Sequence, residues 1–125
     1  MRPMKRIGVA LLLSTAAAAL LVPAIVHADR RPTSKEKTQI VKVVGLVPKC
    51  ATVRVSTVTK KAKWATATWR DAGQQCSPFA SNGVTVEKKR AGRWRFITAG
   101  SSFTCGELYA KVPEPVAKDL KVSCT

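Results

Sequence analysis

The most regular pattern in the chain is an alternation of apolar and polar residues over positions 51–58. Such alternation is typical of a β-strand with one buried and one solvent-facing side. It directs Val53 and Val55 to the interior, and Arg54 and Ser56 to solvent. The pattern therefore predicts a half-buried first strand.

A second strand is predicted over residues 64–69, after a lysine-rich turn. Trp64 and Trp69 are five positions apart, so a regular strand sends them to opposite faces. If Trp69 points inwards, Trp64 lies on the outer face, where it is either covered by a loop or free to stack on a sugar or a base. The outer-face candidates for ligand contact are Arg54, Trp64 and Arg95.

Two further strands are predicted after a long loop at residues 70–83. The third covers residues 83–88 and the fourth covers residues 93–99, with a tight turn at 89–92 between them. Alternation in the fourth strand separates core from solvent positions, with Trp94 and Phe96 inside and Arg93 and Arg95 outside.

Helical signals flank the strands. Thr33 and Glu36 fit a capping box that opens a helix. Apolar residues then recur at helical spacing: Ile40, Val44 and Val47. The valine content and Gly45 count against a helix, so residues 34–46 stay open between helix and strand.

This order of elements predicts an α+β domain over residues 34–125, after a loose polar leader at 29–33. An N-terminal helix packs on a four-stranded antiparallel meander, and a short helical turn at 116–120 follows. The helix is expected to cover the inner face of the sheet, because a sheet this small must bury its apolar side against another element.

The N-terminus has the layout of a secretory signal peptide over residues 1–28. Basic residues precede an uncharged, mostly apolar run at 7–26, and small or compact residues precede a cleavage site between Ala28 and Asp29. The alternative is that residues 7–26 are retained as a membrane anchor, since about 20 apolar residues can span a bilayer. Cleavage removes His27, the single histidine, which excludes Ser-His-Asp catalysis and imidazole-ligated zinc in the exported part.

Composition sharpens this picture. The 125 residues include 22 Lys and Arg against 7 Asp and Glu, a net charge of +15, which cleavage lowers by three to +12. Four cysteines in a short exported chain indicate two disulfides among Cys50, Cys76, Cys105 and Cys124. Three pairings are open; the meander favours Cys50–Cys76 with Cys105–Cys124, because it brings Cys50, Cys76 and Cys105 to one end of the sheet.

The opposite end of the sheet is expected to collect positive charge. In a meander the turns after the first and third strands lie together, and no acidic residue is nearer to them in sequence than Glu87. We call this group the basic rim: Lys60, Lys61, Lys63, Lys88, Lys89, Arg90 and Arg93. It is either ordinary solvated surface or an anion-binding surface.

Several short segments resemble those of small exported actinobacterial proteins of uncharacterised function. The resemblance is carried by residues 54–58 (RVSTV), Trp64-Ala65, residues 92–96 (GRWRF) and residues 100–105 (GSSFTC). It assigns no chemistry to any residue. A helix on a meander that contains Gly-x-Trp-x-Phe is also loosely similar to cystatin-like and NTF2-like cores, a likeness of fold that transfers no activity.

These features predict a secreted or envelope-associated, monomeric, non-enzymatic protein that binds an anionic ligand through the basic rim. Candidate ligands are an anionic polymer, a membrane surface or an acidic protein; no specific nucleic acid, cofactor or metal is expected. The alternative is an inhibitor or partner-binding module for another exported protein. Ser101 and Ser102 have no identifiable base beside them in the sequence, so no catalytic residue is predicted.

Overall fold

The computed structural model describes residues 29–125; the predicted signal peptide, its apolar run and Ala28 lie outside the described residues. The helices are α1 (Ser34–Val43), α2 (Cys105–Lys111) and α3 (Glu114–Asp119), and the strands are β1 (Ala51–Val55), β2 (Trp64–Trp69), β3 (Val84–Arg90) and β4 (Arg93–Gly100). Short 3-10 segments occupy Pro48–Cys50 and Gln74–Phe79. None of the helices within residues 29–125 is long and apolar enough to cross a membrane.

The four strands form one antiparallel sheet in the order β1-β2-β3-β4, which confirms the predicted meander and the α+β class. Residues directly opposite each other share a face, so Val53, Ala67, Thr85 and Ala99 form one row across the sheet. The β3–β4 pairing changes register between Val86 and Glu87, where β4 carries one extra residue, Ile97. This is a β-bulge.

Helix α1 covers one face of the sheet, as predicted. The Thr33 hydroxyl accepts a hydrogen bond from the Glu36 backbone N–H, and the Glu36 carboxylate accepts one from the Thr33 N–H, which completes the capping box. Ile40 and Val41 of α1 pack with Val53 and other residues of β1, β2 and β4. The strand alternative for residues 34–46 is therefore excluded. The predicted helical pattern of apolar residues extended too far along the chain, because the helix ends at Val43 and Val47 is exposed.

The second face of the sheet is also covered, which the sequence reasoning did not anticipate. The helical turn predicted at 116–120 corresponds to α3, which begins earlier, at Glu114, whereas α2 was not predicted. Leu108 and Val116 pack there against Trp64 and Val86. The sheet thus lies between two hydrophobic clusters. Residues Trp64 to Ala67 of β2 are accordingly all buried, whichever face they point to.

Two assignments of exposed and buried positions were wrong. Ser56 is buried, not solvent-facing, and its hydroxyl donates to Asp119 Oδ2 at 2.7 Å; the Thr57 backbone N–H donates to the same oxygen at 3.0 Å. This contact joins α3 to the end of β1. Phe96 is 54% exposed although it shares a face with buried Trp94, because β4 is an edge strand and α1 does not reach over it there.

The leader at 29–33 is attached to the domain, not loose. Arg30 exchanges two backbone hydrogen bonds with Val55 at 2.8 and 2.9 Å, as an isolated antiparallel bridge. Its guanidinium also forms a bidentate pair with Glu36, with both N–O distances at 2.8 Å. The leader therefore extends the edge of the sheet at β1.

Both favoured disulfides are present. Cys50–Cys76 ties the start of β1 to the long loop, and Cys105–Cys124 ties the start of α2 to the C-terminal segment. That segment is also hydrogen-bonded to the residues before α2, through Thr125 and Phe103. One disulfide thus closes each side of the sheet.

Replacing both Cys105 and Cys124 by Ser should lower the free energy of unfolding by roughly 2–4 kcal/mol, because the open chain gains entropy that the cross-link removes. Urea unfolding followed by circular dichroism measures this change. The paired Cys50→Ser/Cys76→Ser variant provides the comparison on the other face. An unchanged unfolding midpoint for either pair would contradict the stabilising role of that disulfide.

Candidate functional site

The basic rim is formed where two turns meet at one end of the sheet. The Lys89 backbone N–H donates to the Lys63 carbonyl at 2.8 Å, which brings the start of β2 against the end of β3. Lys60 and Lys61 lie in the loop that leads into β2, and both are exposed. The topology therefore brings the cations of both turns to the same end.

The turn between β3 and β4 is tighter than the sequence suggested. It contains two residues, Ala91 and Gly92, with φ values of +49° and +76°. Positive φ at both central positions is the geometry of a type I′ hairpin turn, which matches the twist of the flanking strands. β3 therefore continues to Arg90 instead of ending at 88, and Arg90 lies directly opposite Arg93. An alanine at the first position, where glycine or asparagine is usual, obscured this signal.

The hairpin places four cations on one face. Arg90 opposes Arg93, and Lys88 opposes Arg95 one row further in. Partners across a strand pair lie about 5 Å apart at their Cβ atoms, and successive residues on one face are about 6.6 Å apart. We call this two-by-two array the hairpin quartet: Lys88, Arg90, Arg93 and Arg95.

The β-bulge determines the quartet. If the register between Val86 and Thr98 continued without the extra residue Ile97, Phe96 would lie opposite Lys88 and Trp94 opposite Arg90. The bulge shifts the β4 partner of each β3 residue by one position, so that Arg95 faces Lys88 and Arg93 faces Arg90. Like charges directly opposite each other destabilise a sheet. The arrangement is unfavourable for the free protein and suited to a ligand of opposite charge.

The acidic residues do not neutralise the quartet. Within residues 29–125, the ion pairs involve Arg30, Arg54, Lys63 and Lys118 and none of the quartet cations. A second acid reaches the rim from α1: the Oε2 atom of Glu36 lies 3.9 Å from Lys63 Nζ. Its bidentate contact with Arg30 holds the pKa of Glu36 at about 2.

The three outer-face candidates have separate surroundings. Arg54 is paired with Asp29 at 3.9 Å, and Arg95 belongs to the quartet. Trp64 does lie on the face opposite Ala65, but it is only 4% exposed because α2 and α3 cover it. Lys88 Nζ lies 5.0 Å from the centre of its ring, a cation–π contact that holds this lysine beside the other quartet cations.

Glu87 and Lys89 alternate with the quartet residues of β3 and point to the other face, so Lys89 is a rim cation that the sheet separates from the quartet. Glu87 pairs with Ala65 and Phe96, is fully buried, and neither carboxyl oxygen has a hydrogen-bond partner. Burial raises the pKa of Glu87 to about 8, and the nearby Thr85 hydroxyl opposes part of that rise. The Thr85 proton is directed to the Ala67 carbonyl at 3.1 Å. Glu87 is therefore mostly neutral at pH 7 and does not offset the charge of the rim.

The described residues offer few groups for other chemistry. Between residues 29 and 125, no three His, Cys, Asp or Glu side chains are grouped to hold a metal ion. All four cysteines are in disulfides. Ser101 and Ser102 are exposed at the end of β4, away from the basic rim. What the candidate site presents is a set of guanidinium and ammonium donors.

Comparison of the chain with protein-family models, with curated proteins and with solved structures gave no significant match. Function is therefore argued from the geometry of the residues themselves.

Glu87 should make the stability of the protein fall as the pH rises. The carboxyl titrates near 4.5 in the unfolded chain and near 8 in the folded one. The contribution of this carboxyl to the free energy of unfolding is therefore complete below pH 4.5 and is lost as the pH rises from 4.5 to 8. The loss amounts to roughly 5 kcal/mol at most. Glu87→Gln should flatten the dependence of the unfolding free energy on pH over this interval, as measured by urea titrations.

Glu36→Gln is the control for this experiment. Because the pKa of Glu36 is lowered, its stabilisation is present above pH 4.5 and is lost as the pH falls towards 2. In this variant the unfolding free energy should depend less on pH below 4.5, and its dependence on pH above 4.5 should match that of the wild type. A Glu87→Gln protein with the wild-type slope between pH 4.5 and 8 would refute the assignment.

Proposed function

We propose that this is a non-enzymatic, exported protein that binds an anionic polymer of the cell envelope or extracellular space through the hairpin quartet and the rest of the basic rim. The observation that carries the proposal is the uncompensated quartet, in which Lys88 faces Arg95 and Arg90 faces Arg93. Binding of an anionic chain would remove a repulsion that the free protein retains.

The chemistry of the quartet favours phosphate, sulfate or carboxylate groups. Three of its four members are arginines, whose planar forks bind such groups through two parallel hydrogen bonds. An array of cations repeated along a strand pair is suited to repeated charges along a polymer. Recognition of a nucleic-acid base is less well supported, because Trp64, the aromatic ring beside the quartet, is buried.

Export is part of the proposal. Two disulfides are typical of proteins that fold in an oxidising compartment. The signal-peptide pattern at residues 1–28 agrees with this. A basic surface on a small exported domain would meet anionic wall polymers, acidic polysaccharides and anionic membrane surfaces.

Neutralising the quartet should weaken binding more than an equal loss of charge elsewhere. We expect the variant Lys88→Gln/Arg90→Gln/Arg93→Gln/Arg95→Gln to bind long-chain polyphosphate and alginate at least about tenfold more weakly than wild type. The control replaces four exposed cations away from the quartet by Gln: Lys35, Lys49, Arg70 and Lys111. The affinity of this control for the same polymers should fall by no more than about threefold, as measured by calorimetry at low and moderate salt.

Two results would count against the proposal. Equal losses in both variants would mean that binding follows net charge, without a site. Unchanged binding in the quartet variant would exclude the quartet. Circular dichroism of both proteins establishes that the variants are folded, since Lys88 also contacts the Trp64 ring. A single protein that co-purifies in fixed ratio and stays bound at moderate salt would favour the partner-binding alternative.

The repulsion within the quartet can be measured without a ligand. Replacing Arg93 by Thr removes one of two opposed arginines and should raise the free energy of unfolding by about 0.5 kcal/mol at low ionic strength. Added salt screens the repulsion, so the gain should shrink at high salt. Thermal unfolding of Arg93→Thr and wild type across a salt series tests this; a salt-independent difference would exclude the electrostatic origin.

A further inference from the structure

A second concave feature lies on the other face of the sheet and at its other end. It is a half-open cavity of about 540 Å³ between the end of α1, the long loop and the sheet. Small-molecule sites commonly fall between about 300 and 1,000 Å³. Along β3 its lining ends at Thr85, three residues or about 10 Å from Lys88 of the quartet, and the two side chains lie on opposite faces. Nothing in the proposed function uses this cavity.

The cavity lies where α1 does not cover the sheet. α1 passes over the turn end: Glu36 near its start contacts Lys63, and Lys42 near its end lines a surface hollow with Gly92 and Arg93. The chain turns away from the sheet at Gly45, whose φ of +71° ends the helix. The floor left bare is the row Ala67, Thr85 and Ala99, whose small side chains do not fill the space.

The aromatic wall of the cavity is held in place. The Trp69 indole N–H donates to the Cys76 carbonyl at 2.8 Å, and Cys76 is bonded to Cys50 at the start of β1. The Arg70 backbone N–H donates to the Cys50 carbonyl, also at 2.8 Å. Trp69 is half-buried, so part of its ring faces the cavity. A wall fixed before binding reduces the entropy lost when a ligand is ordered.

The lining has no ionisable residue, although the chain contains 22 lysines and arginines. Its polar groups are hydroxyls and an amide, from Ser81, Asn82 and Ser101, and Phe79 provides a second aromatic ring. Neutral hydrogen-bonding groups beside aromatic rings match a pyranose ring, which has an apolar C–H face and hydroxyls at its edge. A charged ligand would find no counter-ion here.

We propose that this cavity binds one neutral sugar residue of a glycan. Trp69 supplies the stacking surface, and Asn82 and the two serines supply hydrogen bonds to sugar hydroxyls. The site is independent of the hairpin quartet and adds a neutral-sugar specificity to a protein whose charge is at the other end. Its failure would leave the polyanion proposal intact.

The test uses neutral oligosaccharides with wild-type protein: cellotetraose, maltotetraose and chitotetraose. At least one should bind with a dissociation constant below about 10 mM and change the tryptophan emission, because Trp69 is the tryptophan that lines the cavity. Ala99→Phe fills the floor and should weaken that binding at least about tenfold, while polyphosphate binding changes less than about twofold. The control is Ala110→Phe, at an exposed position on α2.

Three results would overturn the sugar site. These are no binding of any of the three oligosaccharides at about 10 mM, wild-type affinity in Ala99→Phe, and equal losses in Ala99→Phe and Ala110→Phe. Decanoate is included as an apolar probe. If decanoate binds and is excluded by Ala99→Phe while no oligosaccharide binds, the cavity is a site for an acyl chain and the sugar proposal is wrong.

Discussion

The structure depends on one constraint: the central sheet is apolar on both faces, and the helices available to cover it are short. α1 has ten residues, α2 seven and α3 six. Helices of this length are marginal in water and are stabilised mainly by packing. Ile40 and Val41 bury one face, and Leu108 and Val116 bury the other. Each disulfide fixes chain on one side of the sheet, and the buried Ser56–Asp119 hydrogen bond docks α3 against the end of β1. Neither layer of helices is expected to persist without the sheet.

Both candidate sites lie where the helices leave the β3–β4 hairpin uncovered. Its turn end is uncovered on the face of α2 and α3, and its other end is uncovered on the face of α1. At the turn the bare surface carries four cations, and at the other end it is a row of small side chains beside Trp69. The two surfaces differ in charge and in shape.

Much of the fold could be predicted from the chain because strand alternation and the capping box are local signals. The meander, the start of α1 and both disulfides are confirmed on that basis. The second helical layer was missed because six- and seven-residue helices are too short to show periodicity. The Thr104 cap, whose hydroxyl accepts from the Glu107 N–H, was the available signal. The quartet was missed for a different reason: it depends on a two-residue turn at Ala91 and on an extra residue at Ile97, and neither leaves a distinct local pattern.

The short stretch from Val86 to Arg90 combines three features that each oppose stability. The bulge interrupts the ladder after Val86, Glu87 is buried without a hydrogen-bond partner, and Lys88 and Arg90 face other cations. Strain of this kind persists where the surrounding structure holds it in place, and bulges are frequent next to functional sites. These features have two origins. The extra residue in β4 sets Lys88 opposite Arg95 and Arg90 opposite Arg93. The face of Glu87 is set by β3 itself, whose pairing with β2 is unbroken and whose residues alternate between faces. Glu87 therefore points away from the quartet, and burial keeps it mostly neutral at pH 7.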